Sequence, residues 1–110
     1  MKKLIAVAVA LVSSTAFATI IYKPGTLCDT KAGFCADSQG VSVGITEMEL
    51  GAKAGKKLMA EINKVGINDF DATTFTMSGG LNCNTKEKKC YTNRYDKKVD
   101  VKATKTLFGN

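Results

Sequence analysis

Four cysteines constrain this chain more than any other feature, and they fall in two copies of one spacing. Residues 28–35 read Cys-Asp-Thr-Lys-Ala-Gly-Phe-Cys, and residues 83–90 read Cys-Asn-Thr-Lys-Glu-Lys-Lys-Cys. Each unit is Cys, then Asp or Asn, then Thr-Lys, three further residues and Cys. No other cysteines occur. What they do depends on the compartment, and the N-terminus speaks to that. Lys2 and Lys3 form a positive start, Leu4 to Val12 is an unbroken apolar run, and Ala16-Phe17-Ala18 offers small residues to a signal peptidase. Nine apolar residues are too short to span a bilayer, which argues against a membrane anchor. The expected organisation is a signal peptide over residues 1–18 and a single domain over 19–110. The mature protein is then exported, periplasmic or secreted, with no transmembrane segment.

An exported chain with an even number of cysteines reads as disulfide-bonded. The local pairs, Cys28–Cys35 and Cys83–Cys90, are favoured because each encloses six residues of turn character. Asp29 and Asn84 can each accept hydrogen bonds from the backbone just ahead. A short hairpin sets its two cysteines opposite each other, within bridging distance. Closing such a loop contributes about 2.5 kcal/mol on the chain-entropy account. Pairing of the first unit with the second is the alternative that spacing leaves open. A zinc site is disfavoured, since zinc knuckles set their ligands closer together and export favours oxidation.

Composition narrows function by exclusion. Without Lys2 and Lys3 the chain has 14 basic residues against 10 acidic, a net of +4. That is less than a dedicated nucleic-acid binder carries, so no nucleic acid is expected as a partner. There is no His and no Trp. The usual serine or cysteine triad is therefore absent, oxidised cysteines leave no thiolate, and no metal or cofactor is implied. Among carboxylates, Asp69 and Asp71 would share a face if they lay on a strand. They are the basis of an alternative reading as a small envelope hydrolase. The expectation is a protein that is not an enzyme.

The pattern along the chain predicts an α+β fold. A small antiparallel sheet of disulfide-clipped hairpins packs against one long helix, with a short C-terminal helix. Val41-Ser42-Val43-Gly44-Ile45 alternates like a strand. Thr46 with Glu49 three residues on reads as a capping box, opening a helix from about Glu47 to Val65. Leu50, Ala54, Leu58, Ile62 and Val65 fall on its apolar side. Gly51 and Gly55 on that arc suggest close approach to the sheet, and Gly66 ends the helix. Thr73 to Met77 reads as a second strand, broken by Ser78-Gly79-Gly80, and Cys90 to Tyr95 as a returning one. Asp100 caps a last helix that Gly109 closes. Each cysteine unit is followed by a strand and then a helix, which raises internal duplication. Convergence on a good turn sequence would account for the same few identities.

The strings CDTKAGFCADSQGVSVGIT, GKKLMAEI, FDATTFTMSGGLNC, YDKKVDV and the terminal LFG resemble the small exported bacterial proteins called Fels prophage protein-like, or YcgJ-type. The resemblance covers nearly all of the mature chain. That family is uncharacterised, so the resemblance implies no catalytic residues.

The remaining site reading concerns binding. Lys53, Lys56, Lys57 and Lys64 fit the solvated face of the long helix. Lys86, Lys88 and Lys89 sit instead on a clipped hairpin tip, with Tyr91, Arg94 and Tyr95 following. A rigid loop bearing charge beside aromatic residues can present a partner-binding surface at low ordering cost. The leading expectation is a non-catalytic binding or inhibitor-like module acting on an unknown envelope protein. An anionic envelope polymer, such as lipopolysaccharide or teichoic acid, would satisfy the same lysines.

Overall fold

The computed structural model describes residues 19–109. Residues 1–18, on which the expected signal peptide falls, and Asn110 lie outside the described residues. The described residues form two antiparallel sheets and three α-helices. Strands β1 (Ile20–Lys23), β2 (Thr26–Asp29), β3 (Phe34–Asp37) and β4 (Gly40–Ser42) make the first sheet in chain order. Helices α1 (Val43–Leu50) and α2 (Ala52–Val65) come next. Strands β5 (Thr74–Thr76), β6 (Asn82–Asn84) and β7 (Lys89–Tyr91) make the second sheet, and α3 (Val101–Phe108) ends the fold.

Both local disulfides are present, Cys28–Cys35 and Cys83–Cys90, each with Cα atoms 4.0 Å apart. Register explains why. Cys28 lies directly opposite Cys35, and Cys83 opposite Cys90. The turns are built as their Asp and Asn suggest. Asp29 Oδ1 accepts from the backbone N–H groups of Lys31 and Ala32, and Asn84 Oδ1 from those of Lys86 and Glu87.

The helical region departs from the sequence reading in three ways. There is no single long helix. The chain enters α1 at Val43, capped by Ser42, whose Oγ accepts from Ile45 N at 3.1 Å. Only Gly40–Ser42 of the expected strand is extended. Thr46 is therefore no cap. It lies inside α1, fully buried, donating to Ser42 O at 2.6 Å and accepting from Cys35 N at 2.8 Å. At Gly51 the backbone takes φ 102°, ψ 162°, and the helix breaks. L side chains rarely adopt that conformation. Gly55 then packs against α1 rather than a sheet, since a Cβ on it would lie 3.1 Å from Glu47 Cβ.

The N-terminal strand β1 was not legible as an element, and the sequence reading gathered all strands into one sheet. Cys90–Tyr95 is not a full strand either. β7 ends at Tyr91, and residues 92–98 form a loop. The last helix is as expected, with Asp100 Oδ1 accepting from Ala103 N and Gly109 closing it in the left-handed region.

One core joins the two sheets to α3. Leu27 and Ala36 come from the first sheet, Phe75, Cys83 and Cys90 from the second, and Ala103 and Leu107 from α3. Burial of a large apolar side chain such as Leu27 or Phe75 contributes about 1.5–3 kcal/mol. Helix α2 stands outside this core. Only Gly55 is buried along it, Leu58 and Ile62 are half-buried, and Val65 is exposed.

Three polar links tie the first sheet to the C-terminal half of the chain. Asp29, fully buried, accepts from Ser78 N and Ser78 Oγ as well as from its own turn. Four donors on one carboxylate offset the cost of burying it. Val41 N donates to Ala72 O, and Gly25 N to Thr106 O.

Candidate functional site

The second hairpin and the loop after it hold the residues singled out from sequence. Thr85 N donates to Thr73 O, and the two bonds to Asn84 close the tip. Lys88 occupies the left-handed region at φ 58°. The side chains of Lys86, Lys88 and Lys89 are exposed. Across residues 92–98, Thr92 N donates to Lys98 O, and Asn93 Oδ1 accepts from the N–H groups of Tyr95 and Asp96. Asn93 Nδ2 donates to Asp96 Oδ2. The loop is held by its own Asx turn.

That loop presents Arg94 and Tyr95. Tyr95 is 81% exposed, and the Arg94 guanidinium carbon lies 5.6 Å from its ring centroid. Tyr91 has a different position. It is buried, its hydroxyl donates to Glu87 Oε1 at 2.7 Å, and the Lys97 ammonium sits 4.8 Å from its ring centroid. The bond to the Glu87 carboxylate, with some desolvation, pushes the Tyr91 phenol above its ordinary pKa. Tyr91 thus joins tip and loop through Glu87 and Lys97, while the other five residues face solvent.

Charge is unevenly divided. Residues 82–109 contain eight Lys and Arg against three acids, whereas residues 19–81 contain six against seven. The net positive charge of residues 19–110 therefore resides in the C-terminal third of the chain.

The carboxylates Asp69 and Asp71 lie in the loop between Gly66 and β5 rather than on a strand. Asp71 Oδ1 accepts from both the hydroxyl and the N–H of Thr73. These bonds, aided by Lys86, hold its carboxyl below the ordinary range. A general acid needs the opposite shift. Among the described residues no group of three or more His, Cys, Asp or Glu could hold a metal ion. Among the described residues, clefts open beside the core. One of about 230 Å³ lies among Phe34, Val41, Leu58, Phe70 and Phe75, with Asp71 and Thr74 at its lining. A broader one of about 600 Å³ lies between the β1–β2 turn and the C-terminal half of α3, lined by Tyr22, Pro24, Lys105 and Leu107 among others.

Sequence reasoning took Thr46 for a cap and missed Thr104. Thr104 Oγ1 accepts from Cys90 N at 3.0 Å, as Thr46 Oγ1 accepts from Cys35 N. Both lie four residues past an N-cap, Ser42 and Asp100, and that shared offset is the signal that would have found them. The bond from Ser78 to Asp29 had no local signal, because 49 residues separate the partners.

Among the described residues no helix is long and apolar enough to cross a membrane. The family described as YcgJ protein matches residues 20–108. The uncharacterised protein YcgJ of Escherichia coli strain K12 is 32% identical over 91 residues, covering 76% of this chain and 68% of that protein. No solved structure matches. With two cysteine units, both sheets and all three helices inside the matched region, the chain belongs to the YcgJ family.

Proposed function

We propose that this protein is an exported, non-catalytic binding module of the cell envelope, and that it engages its partner through the second hairpin and the loop after it. The observation that carries this reading is the pairing of concentrated positive charge with a preset exposed aromatic. Lys86, Lys88 and Lys89 stand on a tip closed by a disulfide. Arg94 and Tyr95 stand on a loop already held by Asn93. Groups held in place before binding lose little entropy on binding, and Tyr and Arg are the residue types that most often dominate interface energy. Tyr91 supports the surface from beneath. Two disulfides fit an oxidising compartment such as the periplasm. Asp69 and Asp71 lie exposed on a loop rather than sharing a strand face, which gives a hydrolase reading less support.

Immobilised mature protein should retain a partner from envelope extract. A Lys86→Ala/Lys88→Ala/Lys89→Ala variant and a Tyr95→Ala variant should each lose it. Recovery of the same partner by all three proteins would remove the site from consideration.

We also infer that the chain is two diverged copies of one strand-rich unit with a closing helix. Seven correspondences support this. The cysteines pair in the same register. Asp29 and Asn84 make the same turn bonds. Thr30 N donates to Thr19 O as Thr85 N does to Thr73 O. β1 meets β2 at Cys28 as β5 meets β6 at Cys83. The second cysteine of each unit lies across from an N-cap, Ser42 or Asp100. Each cap opens a helix. A Thr four residues on bonds the same cysteine N–H. Convergence on a turn sequence accounts for the turn bonds but not for the helix contacts.

A further inference from the structure

Pairing register sorts the second sheet into two faces. Phe75, Cys83 and Cys90 point into the core. The alternate residues form two rows on the other face, Thr74–Asn84–Lys89 and Thr76–Asn82–Tyr91. In the first sheet the corresponding face carries Leu27 and Ala36, both fully buried in the core. Leu27 is thus fully buried where its counterpart Asn82 is half-buried, and the second sheet leaves Thr74, Thr76 and Lys89 of this face exposed.

The open face offers donors, and part of its acceptor capacity is already engaged. Asn84 Oδ1 takes the Lys86 and Glu87 N–H groups, leaving its Nδ2 without a bond among the described residues. Thr76 Oγ1 accepts from Asn82 Nδ2 at 2.9 Å. Of the neighbouring acids, Glu87 is engaged by Tyr91 and Asp71 by Thr73. Lys89 lies on the face opposite Asn84, Lys86 follows Asn84 in the turn, and Lys97 lies over Tyr91. Such a surface, about 10 Å across three strands, fits a ligand dense in oxygen and negative charge. The one aromatic ring on it, Tyr91, is buried beneath Lys97, so bases would find no stacking platform.

We propose that the outer face of β5, β6 and β7 binds an anionic glycan, one bearing sulfate, phosphate or uronate groups. Oxyanions meet Lys86 and Lys89, and ring hydroxyls meet Thr74, Thr76 and Asn84. This names the ligand class for the surface assigned to the binding module and rests on that reading, extending the contact from the hairpin tip and the Arg94–Tyr95 loop onto the sheet face.

The test is a titration of mature protein followed by amide NMR, with three probes: a heparin-derived hexasaccharide, neutral dextran and oligo-dT. The hexasaccharide should shift Thr74, Thr76, Asn84 and Lys89, with affinity that weakens as salt rises. Lys86→Glu/Lys89→Glu should weaken it roughly tenfold or more, through lost and reversed charge. Lys56→Glu/Lys57→Glu, the same charge change on α2, should not. Four outcomes would overturn the assignment: equal response to dextran, equal loss in the α2 variant, tighter binding of oligo-dT, or shifts confined to Arg94 and Tyr95. Absence of polyanion binding, with the envelope partner still captured through Tyr95, would defeat the glycan and leave the binding-module reading standing. Loss of that capture as well would defeat both.

Discussion

Two threonine hydroxyls anchor the disulfide-bearing strands to their helices. Thr46 and Thr104 each take the N–H of the second cysteine in a buried setting. Removing the acceptor leaves a buried donor unpaired, which costs about 1–3 kcal/mol. Thr46→Val and Thr104→Val, which preserve shape, should each lower unfolding stability by that amount in urea titrations. Serine at either position should restore most of it. Equal stability of Val and Ser variants would show that the bond to cysteine contributes nothing. Gly40 is a second such residue. At φ 123° it brings its backbone against Ala72, and an added Cβ would meet Ala72 O at 2.1 Å. Gly40→Ala must push β4 away from the stretch leading into β5 and break the Val41–Ala72 bond. It should destabilise by several times the ~1 kcal/mol of an ordinary point change. A melting temperature within a degree or two of wild type would contradict that junction.

The break at Gly51 gives the clearest test at the level of elements, because the two readings differ in sign. In a continuous helix Gly51→Ala would stabilise by about 1 kcal/mol through helix propensity. With Gly51 at positive φ the same change should destabilise by about 1–2 kcal/mol. Thermal unfolding of the single variant decides between them. Elements whose signals are local were legible in the sequence. The clipped hairpins follow from Asp29, Asn84 and the cysteine spacing, and the last helix from Asp100 and Gly109. The start of α1 was hidden because Val41 to Ile45 alternates like a strand and Ser42 lacks a Glu three residues on. The division into two sheets was hidden because it depends on links such as Ser78 to Asp29, set by packing of distant segments. On the candidate surface, exposure of Lys86, Arg94 and Tyr95 could be anticipated from their polarity and loop setting. The burial of Tyr91 could not, since it depends on Lys97 and Glu87 folding back over it.

At the scale of the molecule, the described residues spread their apolar side chains over two sheets and three helices. The core is correspondingly thin, and covalent clips fit that economy. Each hairpin carries its own bridge and its own helix anchor, while the positive charge and the open polar face belong to the C-terminal unit alone. Similar architecture with different surfaces is consistent with one unit supporting and the other engaging. The first unit's sheet is buried against the common core, so replacing Cys28 and Cys35 by Ala should lower stability by about 2–3 kcal/mol and leave the sheet-face titration intact once folded. Replacing Cys83 and Cys90 should weaken ligand binding as well, because the tip bearing Lys86 and Lys89 is no longer held. Equal effects of the two pairs on binding would contradict this division. Fold and binding surface alike depend on where the sulfur bridges run. The direct measurement is non-reducing peptide mapping by mass spectrometry of protein purified from the envelope, with thiols blocked before proteolysis. The expected result is two linkages, Cys28 to Cys35 and Cys83 to Cys90, with no blocked thiol. A bridge between the two units, or alkylated cysteines in the native protein, would contradict the account.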